Sequence, residues 1–401
     1  MSQSQMRLGH SQKPLARIES DWKPQASLKN SYWKELLLLD AIVFSTWSWE
    51  TFNAPERIAL ALASTGARVL YCEMAVSCFR RRAQSLSEVS ERVYRFGPEY
   101  LGAKFNTIPM IGNFQWKSVA QQIMAQAKSL KLHEPLFLYS HVERIGALCE
   151  EMRSAGHPLV HICMDYPEPY QYELIELSDL TVAIPKPVFR ELRERYAEKV
   201  QWIPQSIHLP GVRSQNNGSR DEAGEIARIP RPRLGYLGPV FARLDLAMLR
   251  EVLTKNPEWH FVYFGYDSAD LLLPNAHSMG WQTPSDLPRF VESFDVGVMP
   301  YDCSTKKNLY CSPLKLYDYF SMGLPVVSTP ILEVSEVKDL IYVGSSTGEF
   351  SDAIRRALAE PRDSPKHALR VDVAKAHSTE KQGQKLKEVL EVFEVKQRKL
   401  A

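Results

Sequence analysis

The segment Ser312–Thr329 (SPLKLYDYFSMGLPVVST) gathers a cation, a carboxylate and a helix start within a few residues. Ser312 suits an N-cap, and Pro313 suits the first helical position, where its missing N–H costs nothing. Lys315 and Asp318 lie three apart and so project from the same side near that start. An ammonium, free backbone N–H groups and the positive end of a helix dipole favour a phosphate-bearing ligand. A carboxylate one turn further on suits sugar hydroxyls. Gly323 can take the left-handed conformation that ends the helix, Pro325 blocks its continuation, and Val326 and Val327 open a short buried strand.

Other residues could complete such a site. Asp165 follows the apolar run Leu159–Met164 and precedes Pro-Glu-Pro, which places it at a carboxyl strand end. It is read there either as a general base or as a cap for the next turn or helix. Glu168 is close enough to compete for the same role. His141 ends the run Pro135–Ser140 and is an alternative base, a ligand contact, or a partner for a neighbouring loop. Arg243 follows a glycine turn at Gly238, from which it either reaches phosphates or pairs with Asp245 or Glu251. Lys306 and Lys307 stand in a polar loop, solvated or attracting an anionic sugar. In STWSWETFNAPER, Trp47, Trp49 and Phe52 either stack on sugar rings or fill a core, and Glu50 could bind sugar hydroxyls. The basic run Phe79-Arg80-Arg81-Arg82 is either a solvated helix face or a contact with a lipid surface.

The elements that must hold these residues follow from composition and rhythm. At 401 residues the chain exceeds what one core usually supports, so two domains are expected. It is 44% hydrophobic and 24% charged, as a globular protein is, and a formal charge of +2 does not indicate a nucleic-acid binder. Six scattered cysteines without a CxxC pair argue against disulfides and a structural zinc, and point to a reducing cytosol. The N-terminus lacks the apolar core of a signal peptide, and Leu36–Phe44 is too short and too polar to span a bilayer.

Residues 1–30 are polar and read as a disordered extension. Residues 31–207 then alternate β-rich runs (Asp40–Thr46, Arg68–Cys72, Pro135–Ser140, Leu159–Met164, Leu180–Ile184) with helical stretches. That alternation predicts an α/β unit with a parallel sheet covered on both faces. The Pro-, Gly- and Asn-rich stretch 208–232 reads as a linker. The rhythm resumes over 233–379, with strands at Leu234–Leu237, His260–Phe264, His277–Met279, Val296–Met299, Val326–Ser328 and Ile341–Val343, and a helix at 380–401 closes the chain. Neither GxGxxG nor GxxxxGK[ST] occurs, which disfavours dehydrogenases and P-loop NTPases. No D-x-D triplet occurs, so a metal clamped by that motif has no support in the sequence.

Three phrases, GYLGPVFARLDLAML, NAHSMGWQTPSDLPRFVESFDVGVMPYD and KLYDYFSMGLPVVST, together resemble the second half of bacterial glycosyltransferases of the GT-B fold. The resemblance covers roughly Arg233–Thr329. It implies two Rossmann-like parallel-sheet domains facing across a cleft, the first (31–207) binding acceptor and the second (233–379) binding a nucleotide-sugar. The pattern is similar to exopolysaccharide and capsule enzymes such as the xanthan-assembly glucuronosyltransferase.

On that resemblance Ser312 and Lys315 open the donor helix, with Lys315 on the diphosphate and Asp318 at the ribose. Tyr301 lies near the nucleotide, the backbone at Gly280 and Trp281 grips the base, and Asp165 matches an aspartate catalytic base. Tyr310 stands where retaining relatives carry the first of two acids. The implied activity is metal-independent transfer of a hexosyl or uronosyl group, inverting if Asp165 is the base, to a surface-glycan or lipid-linked acceptor. The donor is a substrate, with uridine diphosphate the commonest carrier, and no cofactor is implied. The expected setting is cytoplasmic, with peripheral contact at the inner face of the membrane. An inactive scaffold or sugar sensor and a GT-B epimerase are the alternative readings.

Overall fold

The computed structural model describes residues 40–49, 53–74, 84–99, 101, 108–140, 142, 144–207, 226–238, 240, 243–265, 271–282, 290–361 and 363–400. The expected N-terminal extension, His141, Glu50, Phe52, Phe79–Arg82 and most of the expected linker lie outside them.

The first sheet has eight strands: β1 (Ala41–Ser45), β2 (Val69–Glu73), β3 (Gln84–Ser90), β4 (Val93–Gly97), β5 (Leu136–Tyr139), β6 (Leu159–Cys163), β7 (Leu180–Ala183) and β8 (Val200–Trp202). Their order is β3-β4-β2-β1-β5-β6-β7-β8, and all pairs are parallel except β3 with β4. β1, β2, β5, β6 and β7 are buried along their whole length, as strands covered on both faces must be. Helices α1 (Ala54–Ser64), α2 (Pro109–Ser129), α3 (Gly146–Ser154), α4 (Pro169–Leu177) and α5 (Lys186–Tyr196) connect them.

The second sheet is wholly parallel: β9 (Arg233–Tyr236), β10 (His260–Tyr263), β11 (Ala276–Ser278), β12 (Val296–Met299), β13 (Val326–Ser328) and β14 (Tyr342–Val343), in the order β11-β10-β9-β12-β13-β14. With β9 counted as the first strand this is 3-2-1-4-5-6. The strand order reverses between β9 and β12, and in such sheets ligands bind beyond the carboxyl ends of the strands at that point. Helices α6 (Leu246–Lys255), α7 (Lys306–Leu309), α8 (Leu314–Ser321), α9 (Thr347–Leu358), α10 (Pro365–Ala376) and α11 (Thr379–Leu400) complete the described elements.

The switch point is built from two glycines. Gly235 and Gly297 are register partners on β9 and β12. A Cβ at Gly297 would lie 2.6 Å from the Tyr319 ring, and one at Gly235 would lie 1.9 Å from Phe294. The missing side chains let α8 lie directly on the sheet, where the Tyr319 hydroxyl donates to the Gly235 carbonyl (3.1 Å) and accepts from the Leu237 N–H (2.9 Å). Gly297→Ala should therefore lower stability by about 1–3 kcal/mol, read as a reduced urea midpoint with an unchanged m-value. Gly323, at φ +67, ends α8 in the left-handed conformation its sequence position requires.

The last helix does not stay with the second sheet. Leu386 and Leu390 of α11 share one core with Ala54, Ile58 and Leu62 of α1. Gly383 approaches so closely that a Cβ there would lie 2.1 Å from the Ala61 carbonyl oxygen. The two passes of the chain between the sheets are joined side by side: the Ile207 N–H donates to His377 O, and the Thr379 N–H donates to Ile207 O.

Candidate active site

At the start of α8 the structure corrects the expected cap. Pro313 is the N-cap, and the helix begins at Leu314. Ser312 is buried and its hydroxyl donates instead to Glu333 (3.0 Å), which also accepts from Tyr317 (3.1 Å). Serine is therefore a strut beneath the helix entrance rather than a partner for its free N–H groups. The carboxylate partner of this strut comes from the short 3₁₀ segment Leu332–Val337. Burial pushes the Glu333 carboxyl up to about 7, against the opposing hydrogen bonds from Ser312 and Tyr317.

Lys315 is half-buried over the switch point. Its ammonium donates to Tyr301 Oη (2.8 Å) and Tyr236 Oη (3.4 Å), and it lies 4.6 Å and 5.3 Å from the Tyr236 and Tyr301 ring centroids. A Cβ at Gly238, whose φ is +139, would come within 3.9 Å of Lys315 Nζ, so the glycine turn closes over the same cation. Desolvation draws the ammonium down to about 8, with the Arg243 charge adding to the shift and the Asp318 charge opposing it. Gly238, Tyr301 and Lys315, singled out separately in the sequence, thus converge on one point.

Arg243 does not pair with Asp245 or Glu251. Asp245 instead caps α6, accepting from the Met248 N–H at 2.8 Å. The Arg243 backbone is fixed from the second sheet, its carbonyl accepting from the Asp302 N–H (2.9 Å) and from Asn308 Nδ2 (3.3 Å). Its guanidinium reaches to the other sheet, donating to both oxygens of Asp165 at 2.8 and 3.4 Å. Asp165 does not cap the following helix. That role falls to Glu168, whose N–H donates to the Gln171 side chain, and the expected Pro-Glu-Pro turn is the entrance of α4. Cys311 is buried among these charges, its thiol pushed up to about 12 by burial and by Asp165 while Arg243 and Lys315 oppose.

A second ion pair joins the sheets. Asp318 lies 3.6 Å from Arg57 of α1, which also donates to the Ser206 carbonyl. Burial raises the Asp318 carboxyl, with Arg57 and Lys315 working against that shift. Tyr310 meets the Tyr166 ring edge-on at 4.8 Å, and Lys306 sits 4.6 Å over Tyr166 while donating to its hydroxyl. Lys307 lies 4.0 Å from Glu168. Gly280 is left-handed (φ +66) and its carbonyl accepts from the Gly265 N–H, while Trp281 is exposed. Trp49 packs edge-on against Tyr71 in the core and donates its backbone N–H to the Glu73 carboxylate, so its role is structural. Trp47 is exposed.

Residues 234–360 match the family described as glycosyl transferases group 1. Over this stretch the chain resembles a group 1 glycosyltransferase domain. The Lys315 cluster, Arg243 and Asp318 all lie in it. A Bacillus subtilis (strain 168) protein, TuaH, which carries the name of a teichuronic acid biosynthesis glycosyltransferase, is 30% identical over 154 residues. That match covers 35% of this chain and 38% of TuaH, so the chain spans well under half the length of this curated relative.

Solved structures resemble the whole architecture around the group 1 domain. Sucrose-phosphate synthase from Thermosynechococcus elongatus superposes with a TM-score of 0.61 at 13% identity, covering 89% of this chain and 96% of that one. A trehalose-6-phosphate protein of E. coli bound with UDP-2-fluoro glucose gives 0.62 at 11% identity, covering 87% and 98%. Trehalose 6-phosphate synthase from Burkholderia multivorans gives 0.60 at 12%, covering 89% and 99%. At these identities the likeness shows the fold, which is the two-sheet GT-B fold.

Sequence reasoning missed Arg57, Tyr236 and Glu333. Tyr236 was within reach, two residues before Gly238 in a strand already identified. Arg57 and Glu333 carry no local signal, because their partners come from distant parts of the chain.

Proposed function

We propose that the chain transfers a sugar from a nucleotide-sugar donor, seated at the β9/β12 switch point, to a glycan or lipid-linked acceptor presented by the first sheet. The observation that carries this reading is the half-buried Lys315 ammonium held between two tyrosines under the Gly238 turn, at the carboxyl ends of β9 and β12. A cation fixed there serves a diphosphate. As the bond from the anomeric carbon to the diphosphate breaks, its electron pair passes to a phosphate oxygen, where the positive field of Lys315 and the α8 N-terminus stabilises it. The acceptor oxygen attacks from the opposite face and gives its proton to Asp165, so the anomeric configuration inverts. Asp318 is placed for the ribose, and the turn at Gly280 and Trp281 for the base. Ser312 serves through Glu333, by holding the helix entrance. Uridine diphosphate is the expected carrier, and Lys315 and Arg243 supply positive charge without a metal. We place the reaction at the cytoplasmic face of the membrane. No helix among the described residues is long and apolar enough to cross a bilayer.

The test is a thermal-shift screen of nucleotides and nucleotide sugars, since a ligand that binds only the folded state raises its apparent stability. A rise of the midpoint with a nucleoside diphosphate is expected. No response to any nucleotide would replace this reading with that of an inactive scaffold, for which Tyr310 in the place of an acid is the supporting observation.

The pH dependence has a definite sign. Only the protonated Lys315 attracts the diphosphate, and its free-protein value is about 8. Affinity should hold below that value and then fall as pH rises, approaching about tenfold per unit. Calorimetric titration with UDP between pH 6.5 and 9.5 measures it, and a flat profile across that range would remove Lys315 from the diphosphate site.

A further inference from the structure

Two of the three charges that the donor site was expected to offer, Arg243 and Asp318, are engaged by the opposite sheet. Arg243 is held in a two-pronged pair by Asp165, and Asp318 faces Arg57. The first of these pairs links the group proposed to bind the departing diphosphate with the group proposed to take the acceptor's proton. The pair is not sealed in a core: the side chains of Arg243 and Asp165 are 29% and 24% exposed. The guanidinium is anchored through its backbone to the β12 side by Asp302 and Asn308. Asp165 lies on the loop between β6 and α4 of the other sheet. Burial disfavours the Arg243 charge, and the Asp165 carboxylate more than compensates, holding it well above the ordinary range. Arg243 also lies near enough to Lys315 for the two cations to repel. An anion arriving between them relieves that repulsion, whereas Asp165 engages Arg243 alone.

We infer that the donor's diphosphate and the Asp165 carboxylate compete for the Arg243 guanidinium, so that donor binding releases the base. The inference rests on the donor-site reading above and adds an order to it. Without donor, the two carboxylate oxygens that an acceptor hydroxyl must reach are occupied by Arg243. With donor in place, the phosphate oxygens take the guanidinium and the carboxylate turns to the acceptor. No covalent change is involved; one charge-assisted pair is exchanged for another. Arg243 is in this sense a positioning residue for the base as well as a ligand for the donor.

The experiment is a double-mutant cycle on the full chain, read by calorimetric titration of UDP, GDP, ADP and inorganic pyrophosphate. Asp165→Asn removes the competing charge and should tighten nucleoside diphosphate binding by about three- to tenfold. In the Arg243→Gln background, binding is weaker throughout and the same Asp165→Asn change should have no effect. Asp165→Ser is carried alongside, and unfolding midpoints close to wild type establish that each variant is folded. A gain that persists without Arg243 would mean that Asp165 acts by shaping the cleft, which overturns the exchange. Equal or weaker binding in Asp165→Asn and Asp165→Ser also overturns it, while leaving the donor site intact. If the wild type binds none of the four probes, the donor-site reading itself fails and the exchange fails with it.

Discussion

Lys315→Ala should lower kcat/KM by about a hundredfold to a thousandfold, the usual loss when a preorganised charge at the leaving group is removed. UDP affinity should fall with it, because the diphosphate is present in both the donor and the product. The fold should not suffer. The structure gives this ammonium two tyrosine oxygens as partners, and desolvation has already drawn it down to about 8. Removing it relieves a desolvation cost, and Asp318 keeps Arg57 as its charge partner. The expected signature is thus an unfolding midpoint at or above wild type, combined with a loss of UDP response in calorimetry. A variant that retains UDP affinity would place the diphosphate elsewhere.

Asp165→Asn should reduce kcat by about a hundredfold to ten-thousandfold, the range over which a positioned base contributes. Asparagine keeps the shape of the side chain and one hydrogen-bond acceptor for Arg243, but it cannot take the acceptor's proton. The loss should appear in turnover while UDP binding is retained or tightened, which separates Asp165 from Lys315 in a single pair of measurements. Single-turnover kinetics with donor in excess would show it directly. Near-normal turnover would remove Asp165 from the base position.

The contrast between these two residues tracks how each could be read from sequence. Lys315 was legible because its helix is punctuated on both sides: Pro313 before it, and Gly323 and Pro325 after it. The apolar strands were legible for a related reason, since strands buried on both faces carry short continuous runs of Val, Ile, Leu and Phe. The β3–β4 hairpin was missed because QSLSEVS mixes polar with apolar residues and turns through Arg92, a left-handed non-glycine residue without a glycine signal. Helix α4 was missed because two prolines around Glu168 read as a turn, when Pro169 in fact sits at a first helical position.

Pairings across the cleft were illegible in principle. Nothing near Arg57 names Asp318, and nothing near Arg243 names Asp165 over its closer neighbours Asp245 and Glu251. Local spacing favoured those neighbours, but the antiparallel run of residues 243–245 along 300–302 turns the guanidinium toward the other sheet. Ser312 failed as a cap for a comparable reason. A buried carboxylate supplied from beyond β13 is a stronger partner for its hydroxyl than a helix N–H.

The return of α11 to α1 bears on the order in which the chain can finish folding. A ribosome has released the whole first sheet long before Leu386 and Leu390 emerge, so the core that α1 shares with them stays incomplete until then. Each buried leucine contributes about 1.5–3 kcal/mol that the first sheet lacks until α11 docks. The first sheet with its helices is therefore not a unit that could be cut out after β8 and expected to stand alone, whereas a fragment that restores α11 in trans should find its seat on α1. Helix α11 thus follows the last strand of the second sheet in the chain yet completes a core of the first, so the two sheets cannot mature independently.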